Sequence, residues 1–478
     1  MIKMNTSARF LQLRRSLIDF RNYSQAFPQD ALDERGFKAK KVLELDPKVS
    51  SAITNGLFHP RNHPGVCKKK VDELPEKVVN AMEILTEKQK KSQLSKQADE
   101  MRARLWGRLM PPEKRDYIEK IRAQKEKVQA TLQEMDLDLN EEAASKVQEK
   151  VTIRRLQDVI HPWHPLGVSE ETCLHYFVSR TAAEYCVLHK IFHQIQLSNP
   201  EFTPSTLFDF GSGVGSGYWA AKEVWQNSLK EIYNVDTNVN MNELASKILQ
   251  MTNTSFSPKD GVYFRQFLPV SSDRTYDITL SSFTLLELPS FKDRMEAVST
   301  LWAKTENYLV IVEDGTNAGY QAVIEARNLI THMESNKSSK GVGAHVVAPC
   351  MHELVCPRFV HDLTPCNFEV SYLPPRFLNN KQDRMKHLYS YIVLKKGPRP
   401  KDDSQWPRCV RETLIRNKHI HLRLCTAEGT LENVLIQKAY NCSNAYKCAK
   451  HTKWGDCLPG KVIEYEQEIA QQKKKGQT

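Results

Sequence analysis

Leu207-Phe208-Asp209-Phe210-Gly211-Ser212-Gly213-Val214-Gly215 is the stretch whose reading decides the fold. An apolar run carries an acid, Asp209, and meets three glycines in the pattern G-x-G-x-G, with a helical stretch opening near Ser216. Glycines there let the backbone take positive φ and pass close beneath a ligand. About 20 residues on, a second apolar run ends in Val235-Asp236, the spacing of an acid that accepts hydrogen bonds from ribose hydroxyls. The final glycine spacing differs from the nucleotide-binding G-x-G-x-x-G, and Asp209 stands before the first glycine. A glycine triplet alone says little; strand, acid, triplet, helix, strand and acid in that order say much more.

Outward from the loop, strand signals alternate with helical ones. Leu207–Phe210, Ile232–Val235, Val262–Phe264, Tyr276–Leu280 and Tyr308–Val312 read as strands; Tyr218–Trp225, Met241–Met251, Phe291–Thr305 and Tyr320–Met333 read as helices between and after them. Such alternation predicts parallel strands with crossover helices, an α/β, doubly wound sheet. Phe368–Leu373 and Leu388–Leu394 supply a last pair of strands. His419–Cys425 and Leu431–Gln437 form a hairpin across Ala427, Glu428 and Gly429. The predicted units are an N-terminal helical, charged region at 24–149, the sheet domain at 150–398, a C-terminal β-rich module at 399–464 and a basic tail at 465–478.

The 478 residues include 68 Lys and Arg against 57 Asp and Glu, and the net charge of +11 favours an anionic partner. No run of about 18 apolar residues occurs, which excludes a membrane-spanning helix of the usual kind. Residues 1–23 carry Lys3, Arg9, Arg14, Arg15 and Arg21 against one acid, Asp19, with Phe10, Leu11, Leu13, Leu17 and Ile18 near helical spacing. That is the composition of a mitochondrial presequence and predicts a matrix location. From Leu85 to about Gln157 runs of Lys, Arg and Glu broken at Pro111-Pro112 read as a helical arm. Arg102–Arg108, Lys68–Lys70 and Lys473–Lys475 are candidate contacts to RNA phosphates, with solvated charge as the plain alternative.

The chain has 11 cysteines, crowded into its last third. In a reducing compartment such clusters point to metal rather than disulfides. Cys350 and Cys356 are separated by five residues, Pro357 follows, and Cys366 comes nine residues later, within the segment 346–367. Zinc knuckles use closer pairs, whereas an iron–sulfur cluster gathers thiolates from a wider loop, so a 4Fe-4S cluster is predicted, with zinc as the other metal reading. The fourth ligand is Cys425 or Cys409; Cys425, at the end of a predicted strand, is preferred. Cys442, Cys448 and Cys457 are available for a second site, with His451 and Cys457 read as incidental.

The strand–acid–glycine pattern resembles class I S-adenosylmethionine-dependent methyltransferases, which implies a Rossmann-like sheet and S-adenosyl-L-methionine held by Asp209, Gly211, Ser212, Gly213, Gly215, Asp236 and Ser282. The fourth strand, which should end over the methyl group, offers Ser281, Ser282 and Glu287 but no amine clamp, and no catalytic residue is assigned. Glu287 reads as a carboxylate at a helix start. Further motifs occur in order: Glu313-Asp314-Gly315-Thr316 with Gly319, Cys350-x5-Cys356-Pro357, Trp406-Pro407-Arg408 and Trp454-Gly455-Asp456. Across roughly residues 150–460 the joint pattern resembles the methyltransferase-like family of mitochondrial small-subunit ribosomal assembly proteins. That resemblance implies a 4Fe-4S protein that binds ribosomal RNA of the immature small ribosomal subunit as a monomer, supports translation and lacks methyl transfer. The alternative is an active ribosomal RNA methyltransferase with Ser281, Ser282 and Glu287 around the acceptor.

Overall fold

A computed structural model of the chain describes residues 41–67, 71–134, 148, 150–152, 165–167, 169–226, 228–253, 261–268, 274–335, 343–361, 364–378 and 383–464. The presequence reading, the Lys68–Lys70 and Lys473–Lys475 runs and the 465–478 tail lie outside these residues.

Strand β1 (Lys41–Leu45) lies near the start of the described chain and is treated with the second sheet below. The larger sheet is built from β2 (Thr206–Phe210), β3 (Glu231–Val235), β4 (Val262–Arg265), β5 (Tyr276–Ser282), β6 (Thr305–Asp314), β7 (Ala344–Ala348), β8 (Phe368–Tyr372) and β9 (Met385–Lys396). Its order is β4-β3-β2-β5-β6-β9-β7, with β8 paired to β9. The first five strands are parallel; β9 is antiparallel to β6, and β7 and β8 are antiparallel to β9. Leaving β8 aside and counting from β2, the sheet reads 3-2-1-4-5-7-6 and reverses direction of winding between β2 and β5, which is where ligands bind in doubly wound sheets. β7 was not foreseen from sequence; it fills the outer edge beside β9.

Both faces of the sheet are covered, which is why its strands read as continuous apolar runs rather than alternating ones. Leu207, Val310 and Val312 face one core, with the Glu170–Ser198 and Ser216–Val224 helices. Phe208, Leu309 and Ile311 face the other, with the Phe291–Lys304 and Asn317–Ser335 helices. Ser169 caps the 29-residue Glu170–Ser198 helix by accepting from the Thr172 amide. The Lys91–Trp106 helix lies on it through Leu94, Ala98, Met101 and Leu105, a stripe at helical spacing, and keeps its charged side outward.

The second sheet contains β10 (Arg408–Cys409), β11 (Leu414–Arg416), β12 (His419–Cys425), β13 (Leu431–Gln437) and β14 (Gly460–Glu464) in the order β10-β12-β13-β1-β14, with β11 on β12. The foreseen hairpin pairs His419 with Gln437 through to Cys425 with Leu431. β1 departs from the helical reading of 24–149: it pairs with β14 along its whole length and with β13 at Lys41. Val42 and Leu43 are buried, and Leu43 joins Ile420, Leu422, Leu424, Val434 and Ile436 in a core of this sheet's own. No helix among the described residues is long and apolar enough to cross a membrane.

Candidate functional site

The glycine loop sits at the switch point. Gly211, Gly213 and Gly215 have φ of 72°, 51° and 87°. A Cβ at Gly211 would lie 2.1 Å from Thr284 Oγ1, so the tight passage over β5 requires glycine there. The Gly211 and Ser212 amides donate to Val235 O at 2.7 and 3.1 Å. Asp236 fastens the other end: Oδ2 accepts from the Gly213 amide at 3.0 Å and Oδ1 from the Asn238 amide at 2.8 Å. Each of its oxygens keeps a second lone pair for a ligand hydroxyl.

A cavity of about 510 Å³, within the ordinary range for a small-molecule site, opens above the loop. Gly211, Gly213 and Asp236 lie on its wall, as read from sequence; Asp209, Ser212, Gly215 and Ser282 do not. On the β5 side, Phe283 and Thr284 occupy the wall in place of Ser282. Ser281 is fully buried with its hydroxyl unpartnered, so of the three residues considered for an acceptor pocket only Glu287 reaches the cavity.

Asp209 lies below the loop, against the first turn of the following helix. A Cβ at Gly217 would stand 2.3 Å from its Oδ2. The carboxyl is fully buried with neither oxygen hydrogen-bonded, and burial, then the charges of Asp236 and Glu184, push it up to about 8 from 3.8. The folded chain therefore holds a proton that the unfolded chain releases between those values. The ligand-free protein loses stability through this group as pH rises from about 4 to about 8, by at most ~1.4 kcal/mol per pH unit. Asp209→Asn is expected to flatten this dependence. Urea midpoints at pH 5 and pH 8 check it, and wild-type and variant curves that fall in parallel would contradict it.

A buried polar chain not singled out in the sequence supports the same cavity. Tyr176 Oη and Ser216 Oγ donate to Glu184 at 2.6 and 2.9 Å. Arg180 bridges Glu184 at 3.2 Å and Asp314 at 2.9 Å and lies over the Phe283 ring at 4.8 Å. His387 Nε2 stands 3.1 Å from Asp314. Burial alone would raise the Asp314 carboxyl, but Arg180 and His387 outweigh it and hold it below its usual range. Its neighbour Glu313, which accepts from the Leu285 amide at 2.6 Å, is pushed up to about 8 by burial and by Asp314. The i, i+4 and i, i+8 spacing of Tyr176, Arg180 and Glu184 on one helix face was the only sequence signal for this chain of contacts.

The N-terminal arm closes the outer side. Arg108 forms an ion pair with Glu287, whose Oε2 also accepts from the Leu166 amide at 3.0 Å. Glu287 is thus in a short 3-10 turn and tied to the arm, rather than at a helix start. Arg102 pairs with Asp99 and donates to Ser179 O at 3.5 Å. Of the Arg102–Arg108 run read as an RNA contact, two guanidiniums are turned to intramolecular partners and Arg104 is exposed.

The second candidate site lies at the junction of the two sheets. Cys350, Cys356, Cys366 and Cys425 line one pocket together with Pro349, Pro357, Arg358, Phe368, Val410 and Leu431. Three of the thiols come from the segment between β7 and β8, and Cys425 is the last residue of β12. Cys409 does not reach the pocket; its Sγ donates to Arg411 O at 3.0 Å inside the C-terminal module. Cys442 caps the Ser443–His451 helix, and Cys448 is buried in that helix; neither joins the pocket, nor does Cys457. None of the four thiols is in a disulfide. Among the described residues no three His, Cys, Asp or Glu side chains are grouped as ligands for a single ion. Burial pushes the Cys350 thiol up to about 11, and Cys366 and Cys425 are raised by burial and by one another's neighbours in the pocket. Four sulfur donors are a soft set of the kind iron–sulfur chemistry uses, and a cluster would have to deprotonate them.

Sheet order and glycine loop together define a class I methyltransferase fold. Residues 170–459 match the family model "Mitochondrial small ribosomal subunit Rsm22", and the chain belongs to that family. It is 35% identical to the human "Ribosome assembly protein METTL17, mitochondrial" over 427 residues, 88% of this chain and 91% of the human one. It is 27% identical to the "Rsm22-cox11 tandem protein 2, mitochondrial" of Schizosaccharomyces pombe, over 58% of this chain and 42% of that protein. Among solved structures, the plantazolicin methyltransferase BpumL in complex with a pentazolic desmethylPZN analog and SAH aligns with 59% of this chain and 99% of its own, at 12% identity and a TM-score of 0.29.

Proposed function

We propose that this chain is a mitochondrial assembly factor for the small ribosomal subunit, acting in the matrix as a noncatalytic scaffold. It binds precursor subunits and their ribosomal RNA as a monomer, holds S-adenosyl-L-methionine over the glycine loop, and carries a 4Fe-4S cluster on Cys350, Cys356, Cys366 and Cys425. The carrying observation is family membership over a span that contains both the loop and all four cysteines. The near-full-length similarity to a human protein named for mitochondrial ribosome assembly supports the role and the compartment, and the basic composition of 1–23 fits an import signal.

The sulfonium donor supplies an electrophilic methyl group when bound. The chain's own part is to hold it: Gly211 and Gly213 allow close backbone approach, and the remaining lone pairs of Asp236 would accept from ribose hydroxyls. The side where an acceptor would enter is taken up by Glu287, Arg108 and the Leu166 amide. With its carboxylate oxygens engaged by a guanidinium and a backbone amide, Glu287 is held away from an incoming acceptor, so this corner favours retention of the donor over transfer. At the junction, four thiolates from two sheets would make cluster assembly part of folding.

Sedimentation of mitochondrial extracts tests the role. The chain is expected in fractions holding small-subunit ribosomal RNA short of the complete ribosome, and its depletion is expected to lower mature small subunit while large subunit persists. Migration with the large subunit alone, or unchanged small-subunit levels after depletion, would overturn it.

A further inference from the structure

Buried arginines in this chain fall into two groups. Arg180 and Arg294 are 3% and 1% exposed, and each has carboxylate partners: Glu184 and Asp314 for the first, Glu325 for the second. Arg327, Arg358 and Arg408 are buried to the same degree, at 1%, 1% and 3%, yet among the described residues none has a carboxylate at ion-pair distance. Their hydrogen bonds go to neutral groups. Arg327 donates to His352 O at 2.9 Å and Leu354 O at 2.7 Å. Arg358 donates to Thr364 Oγ1 at 3.2 Å and Pro365 O at 2.8 Å, and its Nε and Nη2 have no hydrogen-bond partner among the described residues. Arg408 donates to Pro349 O and, at 2.6 Å, to Gly455 O. Asp456 feels the Arg408 charge, but its oxygens accept from the Cys67 and Lys453 amides.

All three surround the cysteine pocket. Arg358 is on its wall. The fields of Arg327 and Arg408 act on Cys350, that of Arg358 on Cys366, and that of Arg327 also on Cys425. Arg327 and Arg358 belong to the larger sheet's side of the junction, on the Asn317–Ser335 helix and at Pro357–His361; Arg408 is in β10 of the second sheet. Neutral thiols cannot offset three buried cations, and burial of an unpaired charge is strongly unfavourable. Four thiolates around a four-iron, four-sulfur core of charge two plus carry a net charge of two minus.

We propose that Arg327, Arg358 and Arg408 are the counter-charge for an anionic four-thiolate cluster and make docking of the C-terminal sheet conditional on it. With the cluster in place, the cations on both sides of the junction are attracted to one dianionic centre. Without it, like charges face one another across that junction, and the strand that carries Cys425 is pushed from the larger sheet. The inference rests on the cysteine assignment above and adds a regulatory consequence: the cluster state sets whether the two sheets act as one body.

The test uses the full chain purified anaerobically as wild type, Arg358→Met and Arg358→Lys, each before and after iron is stripped with a chelator. Arg358→Met is expected to lose iron to the chelator ~10-fold faster than wild type, the low end of the loss when a partner that supports metal ligands is removed. Its stripped form is expected to melt roughly 3–5 °C above stripped wild type, since one repelling charge is gone. Arg358→Lys, which keeps the charge, should follow wild type in both. A methionine variant that melts lower in both states, or that keeps iron as well as wild type does, would show a packing role only and overturn the proposal. Wild-type protein purified without iron would instead sink the cluster assignment itself, and this inference with it.

Discussion

Cys425→Ser is expected to leave the purified chain without its iron, from about four atoms per chain to near none, and without the broad visible absorption of an iron–sulfur centre. The effect is large because Cys425 is the only one of the four pocket thiols on the second sheet; the other three reach the pocket from the segment between β7 and β8. Serine keeps the volume and removes the soft donor, and cluster binding energy that served folding is lost with it. The second sheet should then be cleaved from the first by low protease concentrations within 397–407, the connection that joins β9 to β10. Cys409→Ser is the matched control. Its sulfur is bonded inside the module at Arg411 O, so iron should be retained. Iron lost from Cys409→Ser and kept in Cys425→Ser would reverse the ligand assignment.

Gly211→Val is expected to weaken binding of S-adenosylhomocysteine at least ~100-fold, measured by calorimetry. Two costs coincide there. The residue has φ of 72°, where a β-branched side chain is strained by ~1–3 kcal/mol, and its Cβ would meet Thr284 Oγ1 at 2.1 Å, forcing the loop off β5 and into the cavity. Gly397→Val separates the costs: φ is 100° and nothing lies within 4 Å of an added Cβ, so stability should fall while affinity is unchanged. Equal loss of affinity in both variants would mean that the loop acts only through overall stability.

The sheet was legible in the sequence because its central parallel strands are buried on both faces and so stand out as apolar runs, and β2, β3, β5 and β6 are each followed by a helix with one apolar side. The glycine loop was legible because backbone conformation, not packing, dictates its residues. The hairpin showed itself through Gly429, whose φ of 72° suits the turn. β1 was not legible: it is five residues long, and its partners β13 and β14 lie roughly four hundred residues further along the chain. The candidate site divides in the same way. Gly211, Gly213 and Asp236 reach the cavity because local geometry puts them there, whereas the direction of Asp209, against the helix and off the cavity wall, depends on the space left beside Gly217. Pairing of Arg108 with Glu287 and of Asp314 with Arg180 and His387 depends on tertiary approach across long separations, and no local pattern announces it. Arg327 and Arg358 carry no local signal and Arg408 stood out only within Trp406-Pro407-Arg408; what sets the three apart is burial with no carboxylate at ion-pair distance among the described residues.

The scaffold account stands or falls on what happens to the donor's methyl group on the ribosomal precursor. The chain would be loaded with methyl-labelled S-adenosylmethionine, mixed with small-subunit precursors from mitochondria depleted of the protein, and followed through a density gradient. The account expects protein and label to migrate together with the precursor and the label to remain entirely releasable as small molecule. Label bound covalently to the ribosomal RNA would make this chain an active methyltransferase, and protein that stays at the top of the gradient would remove the precursor as its partner.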